Sequence, residues 1–569
     1  MKKYLLIIFL LAPLISIIAQ SSEIPQITNK YLIRNANVIV KPGQLQAATS
    51  VLIEDGVISK VGADITPPFD AQIIDADSMY IYAGFIAGLS HIGVPTADKP
   101  KDLPKIKDPG NPPNDRAGIT PDVSLRDVLS VKEKSINAYR KQGITLSHSV
   151  PKGRMLPGKG SLIILNGATV DDMLIAEDVS LFATLKGASG MYPGTVMAVM
   201  AKYRELFRQA NLAASHEKTY KSKTAGTKRP SYDKSVKALY PVISKALPVF
   251  FSVENTRDIQ RAMRLQKELD FEIIPSEVKQ GWYNIDKLKN QPILLSLDLP
   301  KEIKEDKKET KKDEKKEKDL KKDKKEKKKD DESAESKMFK AKKKKSYDQY
   351  LGQAKLLKEE GIDFSFSLLN TKAGDVHKNL SRLVENGLSE DVALAAMTTN
   401  PAKTLGIDDI AGTIEKDKLA NLVITTKPYF DKKSKIKYVF VEGAKFEFEV
   451  KEKKKTSSDS TATNDLSGNY TYMIEIPGMS SGGKLLLTKN EGSYTAVVSS
   501  EQSPNEPTTV EDIEPDGNNL NFDFEVNAQG MTMKVNMSVE FDEDTFEGKV
   551  SVGEFGSFPV TGEKTDPKS

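Results

Sequence analysis

The segment Ile81–Gly93, "IYAGFIAGLSHIG", decides how the chain folds. Apolar side chains fill consecutive positions instead of alternating with polar ones, and glycines bound the run, which marks a strand buried on both faces. It closes on Ser90 and His91. Burial on two faces belongs to parallel sheets covered by helices, and the downstream sequence supplies the remaining parts. Further apolar runs follow: "GITLSHSV", "SLIILNG", "SLFATLKG", "LPVFFSVEN", "FEIIPS", "PILLSLDLP" and "IDFSFSLLN". Between them lie helical stretches such as "SLRDVLSVKEKSINAYRKQ", "TVMAVMAKYRELFRQANLAA", "TRDIQRAMRLQKELD" and "YDQYLGQAKLLKEE". Eight strands alternating with helices across residues 84–403 predict an α/β fold, a (β/α)8 TIM-type barrel. An open doubly wound sheet has the same alternation and is the alternative.

Outward from the barrel the pattern changes. Residues 24–83 and 404–450 read as short strands and turns, with Asp55-Gly56 as a hairpin signal, and form a small β domain split around the barrel. Residues 466–569 alternate apolar and polar, as in Met531, Met533, Val535, Met537, Val539 and Phe541, which predicts an antiparallel sandwich or barrel. A polar linker, residues 451–465, precedes it. Residues 1–20 carry a basic start and an apolar run broken by Pro13, the pattern of a secretory signal peptide, so the protein is expected to be exported, periplasmic or extracellular.

Composition removes several function classes. The chain has no cysteine, so it has no disulfide and no thiol nucleophile. Its +4 formal charge comes from residues 301–345, a low-complexity insertion with 22 lysines against 14 acidic residues. Interspersed acids and only one aromatic residue, Phe339, argue for a solvated, disordered insertion and against nucleic acid as a partner. No segment after the signal has the roughly 18 uninterrupted apolar residues of a transmembrane span. Site chemistry is left to His, Asp, Glu, Lys, Ser and Tyr.

The order of elements resembles that of the secreted amidohydrolases, the imidazolonepropionase-like, metal-dependent branch of the amidohydrolase superfamily. The markers are "SVLIEDGVISKVG", "IIDADSMYIYAGFIAGLSHIG", "MLPGKGSLIILNG", "YPGTVMAVMAKYRELF" and the closing stretch "GLSEDVALAAMTTNPAKTLGIDDIAGTIEKDKLANLVI". The resemblance covers roughly residues 30 to 447 and implies hydrolysis of non-peptide C–N bonds in amides or cyclic amides. It also implies a divalent ion, Zn2+ or another, that lowers the pKa of bound water. Such an ion needs imidazoles and carboxylates converging at the strand ends.

The expected ligands are missing. The first-strand histidine pair would occupy 89 and 91, but the residues are Leu89 and His91, and the preceding aspartate position is Ala87. The fifth strand offers Ser252, Glu254 and Asn255, and the sixth offers Pro275 and Ser276. Leu369 stands about where the aspartate of the eighth belongs, and Asn421 replaces the usual Asp of the closing stretch. These losses predict degenerate metal motifs and no bound metal, hence a pseudoenzyme acting as a binding or partner protein. Its partner would be an active amidohydrolase relative or a small amide-type ligand. The catalytic alternative is an active hydrolase with a reduced metal site built from His91, His148, Glu254 and His377, with Lys186 in the place of a bridging lysine. His216 is expected to face solvent, and "MLPGKG" to be a turn connecting strands.

Overall fold

The computed structural model describes residues 29–96, 105–289, 291–301, 334–448 and, with short gaps, 465–565. The signal-like segment, residues 302–333 of the insertion, and residues 451–464 of the linker lie outside the described residues. The chain divides into two compact units, Met1–Lys451 and Glu452–Ser569.

The first unit begins with β1 (Tyr31–Lys41), β2 (Gln44–Glu54), β3 (Val57–Gly62), β4 (Gln72–Asp75) and β5 (Tyr80–Ala83). Only Gly84 separates β5 from β6 (Phe85–Ser90), so the chain passes directly from the small sheet into the barrel. A side chain there is excluded. A Cβ on Gly84 would lie 2.3 Å from Thr145 Oγ1, while the Gly84 amide donates to the Asn421 carbonyl at 2.7 Å.

The barrel strands are β6, β7 (Ile144–Ser149), β8 (Gly158–Ile164), β9 (Leu174–Thr184), β10 (Val249–Ser252), β11 (Ile273–Ser276), β12 (Ile293–Ser296) and β13 (Phe364–Ser367). They run in the order β11-β10-β9-β8-β7-β6-β13-β12. The ring closes where the Val278 amide donates to the Leu294 carbonyl (3.0 Å) and the Ser296 amide donates to the Val278 carbonyl (3.1 Å). Helices α1 (Lys134–Arg140), α2 (Val196–Ser222), α3 (Thr256–Leu269), α4 (Ala334–Glu359), α5 (Val376–Glu385) and α6 (Thr399–Leu405) belong to the same unit. The chain then returns to the small sheet through β14 (Leu422–Thr425), β15 (Ile436–Val441) and β16 (Ala444–Glu447), giving the order β16-β15-β14-β5-β1-β2-β3 with β4 on β1.

Three sequence expectations need correction. The regular alternation fails at β8, which is antiparallel to both β7 and β9. The reason is connector length: only Val150–Pro157 joins β7 to β8, whereas a parallel crossover needs a dozen residues or more. "MLPGKG" is accordingly not a turn throughout, because Gly158, Lys159 and Gly160 already belong to β8. In the insertion, expected to be disordered over 301–345, residues from Ala334 onward form the start of α4, as the local run of Ala, Lys and Glu favours.

The barrel interior is filled. Leu89, Val150, Phe182, Phe250, Ile274 and Leu294 form one buried cluster, with Leu369 packed against it. Residues facing outward, such as Phe364, Phe366, Leu295 and Phe251, join the larger core under the helices.

In the second unit, β17 (Gly468–Ile476), β18 (Met479–Lys489), β19 (Tyr494–Ser500), β20 (Ser503–Ile513), β21 (Asn519–Ala528), β22 (Met531–Asp542), β23 (Thr545–Val552) and β24 (Gly556–Lys564) form an antiparallel meander. Neighbours in sequence are neighbours in the sheet except at β20 and β21, and β24 returns to β17. The Thr508 hydroxyl donates to the Glu525 carbonyl between β20 and β21. Tyr470, Phe541 and Phe546 centre its core, with ring centroids 5.1–5.7 Å apart.

Candidate functional site

The parallel barrel strands finish alike. β6, β7, β9, β10, β11, β12 and β13 end on Ser90, Ser149, Thr184, Ser252, Ser276, Ser296 and Ser367, and every one of these hydroxyl residues is buried. Because these strands are parallel, their ends share the face on which such barrels build sites. Buried hydroxyls need partners, and most find them nearby. Ser90 lies 2.7 Å from Ser147 and 3.2 Å from Ser149, Thr184 donates to the Arg154 carbonyl, and Ser276 to the Ile274 carbonyl. Ser296 and Ser367 instead donate to a carboxylate.

That carboxylate is Glu277, fully buried directly after β11. Its φ of 56° lies in the left-handed region, which a non-glycine residue adopts at a cost of about 1–2 kcal/mol. The unusual backbone turns its side chain in among the strand ends. Ser296 Oγ donates to Oε1 at 2.6 Å, Ser367 Oγ to Oε2 at 2.6 Å, and Asn370 Nδ2 to Oε1 at 3.0 Å. Burial raises the Glu277 carboxyl pKa, against the lowering effect of these three hydrogen bonds and of Lys279.

Lys279 continues the cluster. Its ammonium stands 2.8 Å from Asp298 Oδ2, 3.7 Å from Glu254 Oε2 and 4.0 Å from Glu277 Oε1. Burial acts to lower its pKa, but the hydrogen bond to Asp298 and the charges of Glu277, Asp298 and Glu254 outweigh it, so the net shift is upward and the lysine stays charged. Glu254 also holds Lys186 at 3.2 Å. Burial, then the charges of Asp298, Glu277 and Glu254, push the Tyr350 phenol upward, and Trp282 packs on that ring at 5.8 Å.

The sequence candidates separate into two groups. Lys186 and Glu254 are brought together. The histidines are not joined to them by any hydrogen bond or ion pair, and each is committed elsewhere. His91 Nδ1 lies 2.7 Å from the Val150 carbonyl, with burial, then the nearby Lys152 and Lys186, holding its pKa down to about 4. His148 is fully buried on β7 and uses both ring nitrogens, Nδ1 towards the Gly88 carbonyl (3.2 Å) and Nε2 towards Ser180 Oγ (2.7 Å). Its ring packs on Phe250 at 4.3 Å, and burial depresses its pKa to about 4. His377 does not stand with these two. It lies in α5, hydrogen-bonded to the Tyr429 carbonyl and packed on the Tyr429 ring, which itself stacks on Phe85 at the opposite, first end of β6. His216 is bonded to the Lys228 carbonyl in an exposed setting.

The donor set does not fit the ion that the sequence resemblance implies. Among the described residues no group of three or more His, Asp or Glu side chains is placed to hold a metal ion. Leu89 and Leu369 take part in the apolar plug, and His148 has no free nitrogen to offer.

Sequence reasoning missed Glu277, Lys279 and Asp298. A signal existed: Glu254, Asp298 and Lys186 each follow a strand-terminal hydroxyl residue by two positions, as in "SVE", "SLD" and "TLK", and residues two apart share a face.

Residues 341–445 match the amidohydrolase family. The structure is similar to that of an amidohydrolase from Thermotoga maritima MSB8, at 19% identity, covering 74% of this chain and 100% of that one with a TM-score of 0.58. More distant are a Xaa-Pro dipeptidase with bound methionine in its active site (15% identity, 74% and 100% covered, TM-score 0.40) and a putative prolidase from Bifidobacterium longum (12%, 73% and 94%, 0.38). The Thermotoga likeness establishes the fold and nothing finer. No curated protein matches the chain.

Proposed function

We propose, taking as premise that this chain is a member of the amidohydrolase superfamily, that its barrel mouth serves binding in place of metal-dependent hydrolysis. The observation that carries this reading is the composition of the mouth. Where a divalent ion would need several converging lone pairs, the chain offers an apolar plug of Leu89, Phe182, Phe250, Leu294 and Leu369 under a ring of hydroxyls and a closed charge cluster. An ion bound by one remaining imidazole would keep mostly water in its shell, and affinity in such sites depends on donors arriving together.

In this reading Glu277 and Lys279 hold the strand ends in register. The exposed parts of the cluster, Lys186, Glu254 and Asp298, face what is bound: a small amide-type ligand or an active relative with the same fold. Amide groups both donate and accept, which matches a mouth that presents ammonium and carboxylate side by side. Export, inferred from the signal-like segment, belongs to the same proposal. No helix among the described residues is long and apolar enough to cross a membrane.

The test is metal analysis of the purified full chain after mild chelation and re-addition of Zn2+ and Mn2+, with turnover measured on dipeptides, N-acyl amino acids and cyclic amides. The expected result is no stoichiometric metal and no turnover. Turnover abolished by His91→Ala would overturn the reading and restore the hydrolase built on His91, His148 and Glu254.

A further inference from the structure

His91 is the first residue past β6, its ring set edge-to-face with Phe182 of the plug at a centroid distance of 6.1 Å. A backbone carbonyl only accepts, so the 2.7 Å contact with the Val150 carbonyl places a proton on Nδ1. Burial, then Lys152 and Lys186, keep the ring neutral at physiological pH. In a neutral ring the bond made by one nitrogen fixes the tautomer, which leaves Nε2 as a lone pair. Among the described residues nothing hydrogen-bonds that atom, and it is not a buried orphan, so solvent reaches it. The other imidazoles differ. His148 accepts from Ser180 through Nε2, while His216 and His377 each donate the Nε2 proton to a carbonyl. Around the His91 lone pair the mouth is cationic: the charges that act on the ring are Lys152 and Lys186, the latter 61% exposed and paired with Glu254 at 3.2 Å. An acceptor flanked by ammoniums matches a ligand that offers an N–H and carries negative charge close by.

We infer that His91 Nε2 is the acceptor that fixes the N–H of the bound ligand, and that the ligand is a secondary amide bearing a carboxylate, which lies towards Lys152 and Lys186. The inference rests on the reading that the mouth binds a small amide-type ligand, and narrows it. A tertiary amide, such as the bond before proline or an N-methylated one, has no N–H to give. It would put a carbon against the lone pair in place of a donor. Losing one partner of the hydrogen bond and adding a methyl group at the same point selects against tertiary amides by about tenfold or more.

The experiment treats the unaltered full chain at neutral pH with diethyl pyrocarbonate, which acylates an unprotonated and reachable imidazole nitrogen, and follows the His91 peptide by mass spectrometry. The probes are N-acetylglycine and N-acetylsarcosine, which differ only in the N-methyl group. His91 is expected to react in the free protein and to be protected as N-acetylglycine is added, with N-acetylsarcosine needed at about tenfold or more higher concentration for the same protection. In calorimetric titration His91→Leu should bind N-acetylglycine no better than N-acetylsarcosine, whereas Lys152→Ala combined with Lys186→Ala should weaken both probes alike, since both carry the carboxylate. If His91→Leu does not fold, the protection result decides alone. The inference is overturned if His91 is unreactive in the free protein, if N-acetylglycine gives no protection, if the two probes protect equally, or if the double lysine variant binds both as the parent does. Failure of the wider functional reading is a separate result, namely stoichiometric metal or turnover dependent on His91.

Discussion

Glu277 is the most informative residue to alter, because two replacements of similar size should act in opposite ways. Glu277→Gln keeps the shape and an acceptor oxygen, and its amide can donate to Ser367, whose hydroxyl can turn to accept. Glu277→Leu keeps the bulk but removes both carboxylate acceptors, leaving the buried Ser296 hydroxyl with no acceptor for its proton and the Ser367 hydroxyl with the Leu89 carbonyl at 3.5 Å alone. An orphaned buried donor costs about 1–3 kcal/mol, and the leucine variant should lose at least that much. Lys279 would also lose one of its counter-charges. The pH dependence adds a sign. A carboxyl whose pKa is raised on folding binds protons more readily folded than unfolded, so its stabilising contribution is complete below the ordinary carboxyl pKa and is lost as pH rises towards the folded value. Glu277→Gln removes that titration, and the stability gap between it and the parent should widen in favour of the glutamine variant as pH rises above about 4.5.

The assay is denaturant unfolding followed by tryptophan fluorescence. Trp282 is the only tryptophan in the sequence and packs beside the cluster, so the signal reports the barrel alone and not the C-terminal unit. Leucine and glutamine variants that are both as stable as the parent at neutral pH would refute the claim that this carboxylate organises the strand ends. A glutamine variant with a loss as large as that of leucine would show that the negative charge, and not the hydrogen bonding, is what the site requires.

The histidines give a second pH signature of opposite sign. With its folded pKa near 4, His148 contributes stability that is complete above about 6.5 and is lost as pH falls towards 4, on the order of 3 kcal/mol; His148→Gln should flatten that slope in unfolding measured between pH 7.5 and 4.5. Gly160→Ala would put a Cβ 2.6 Å from His148 Nε2 and 2.7 Å from Ser180 Oγ, and should cost roughly 1–3 kcal/mol in the same unfolding experiment by forcing that hydrogen-bonded pair apart. Leu89→His rebuilds the two-histidine spacing at the end of β6 but buries an unpartnered imidazole in the plug, so stability should fall by about 2–4 kcal/mol with no zinc binding by calorimetry; tight zinc binding would contradict the account of the mouth.

How far the sequence could be read depended on what each feature writes into it. Barrel strands are buried on both faces and appear as solid apolar runs, so all eight stretches read as strands are strands in the structure. Strand direction leaves no mark in such runs. Only the short Val150–Pro157 connector held the information that β8 is reversed. The empty ligand positions were legible because leucine has no lone pair to give, and Leu89 and Leu369 do lie with the apolar plug. Glu277 was hidden for a different reason. A lone glutamate after a strand looks like a loop residue, and nothing local announces that a left-handed backbone turns it inward under Ser296 and Ser367.

The mouth is best understood as three layers that repeat along the strands. The lowest is apolar, with Phe182, Phe250, Ile274 and Leu294. Two residues further on, β9 to β12 carry Thr184, Ser252, Ser276 and Ser296, a layer of hydroxyls. Another two residues on, β9, β10 and β12 carry Lys186, Glu254 and Asp298, and Lys279 enters among them from beyond β11. Each layer stabilises the next. The plug excludes water and so makes the hydroxyls find partners within the protein, and two of them find Glu277; that buried carboxylate in turn helps keep Lys279 charged. Replacing any single residue with a metal ligand therefore offers an ion one donor while leaving the plug below and the ammonium above in place. Recovering a hydrolytic centre would therefore require changes in all three layers together.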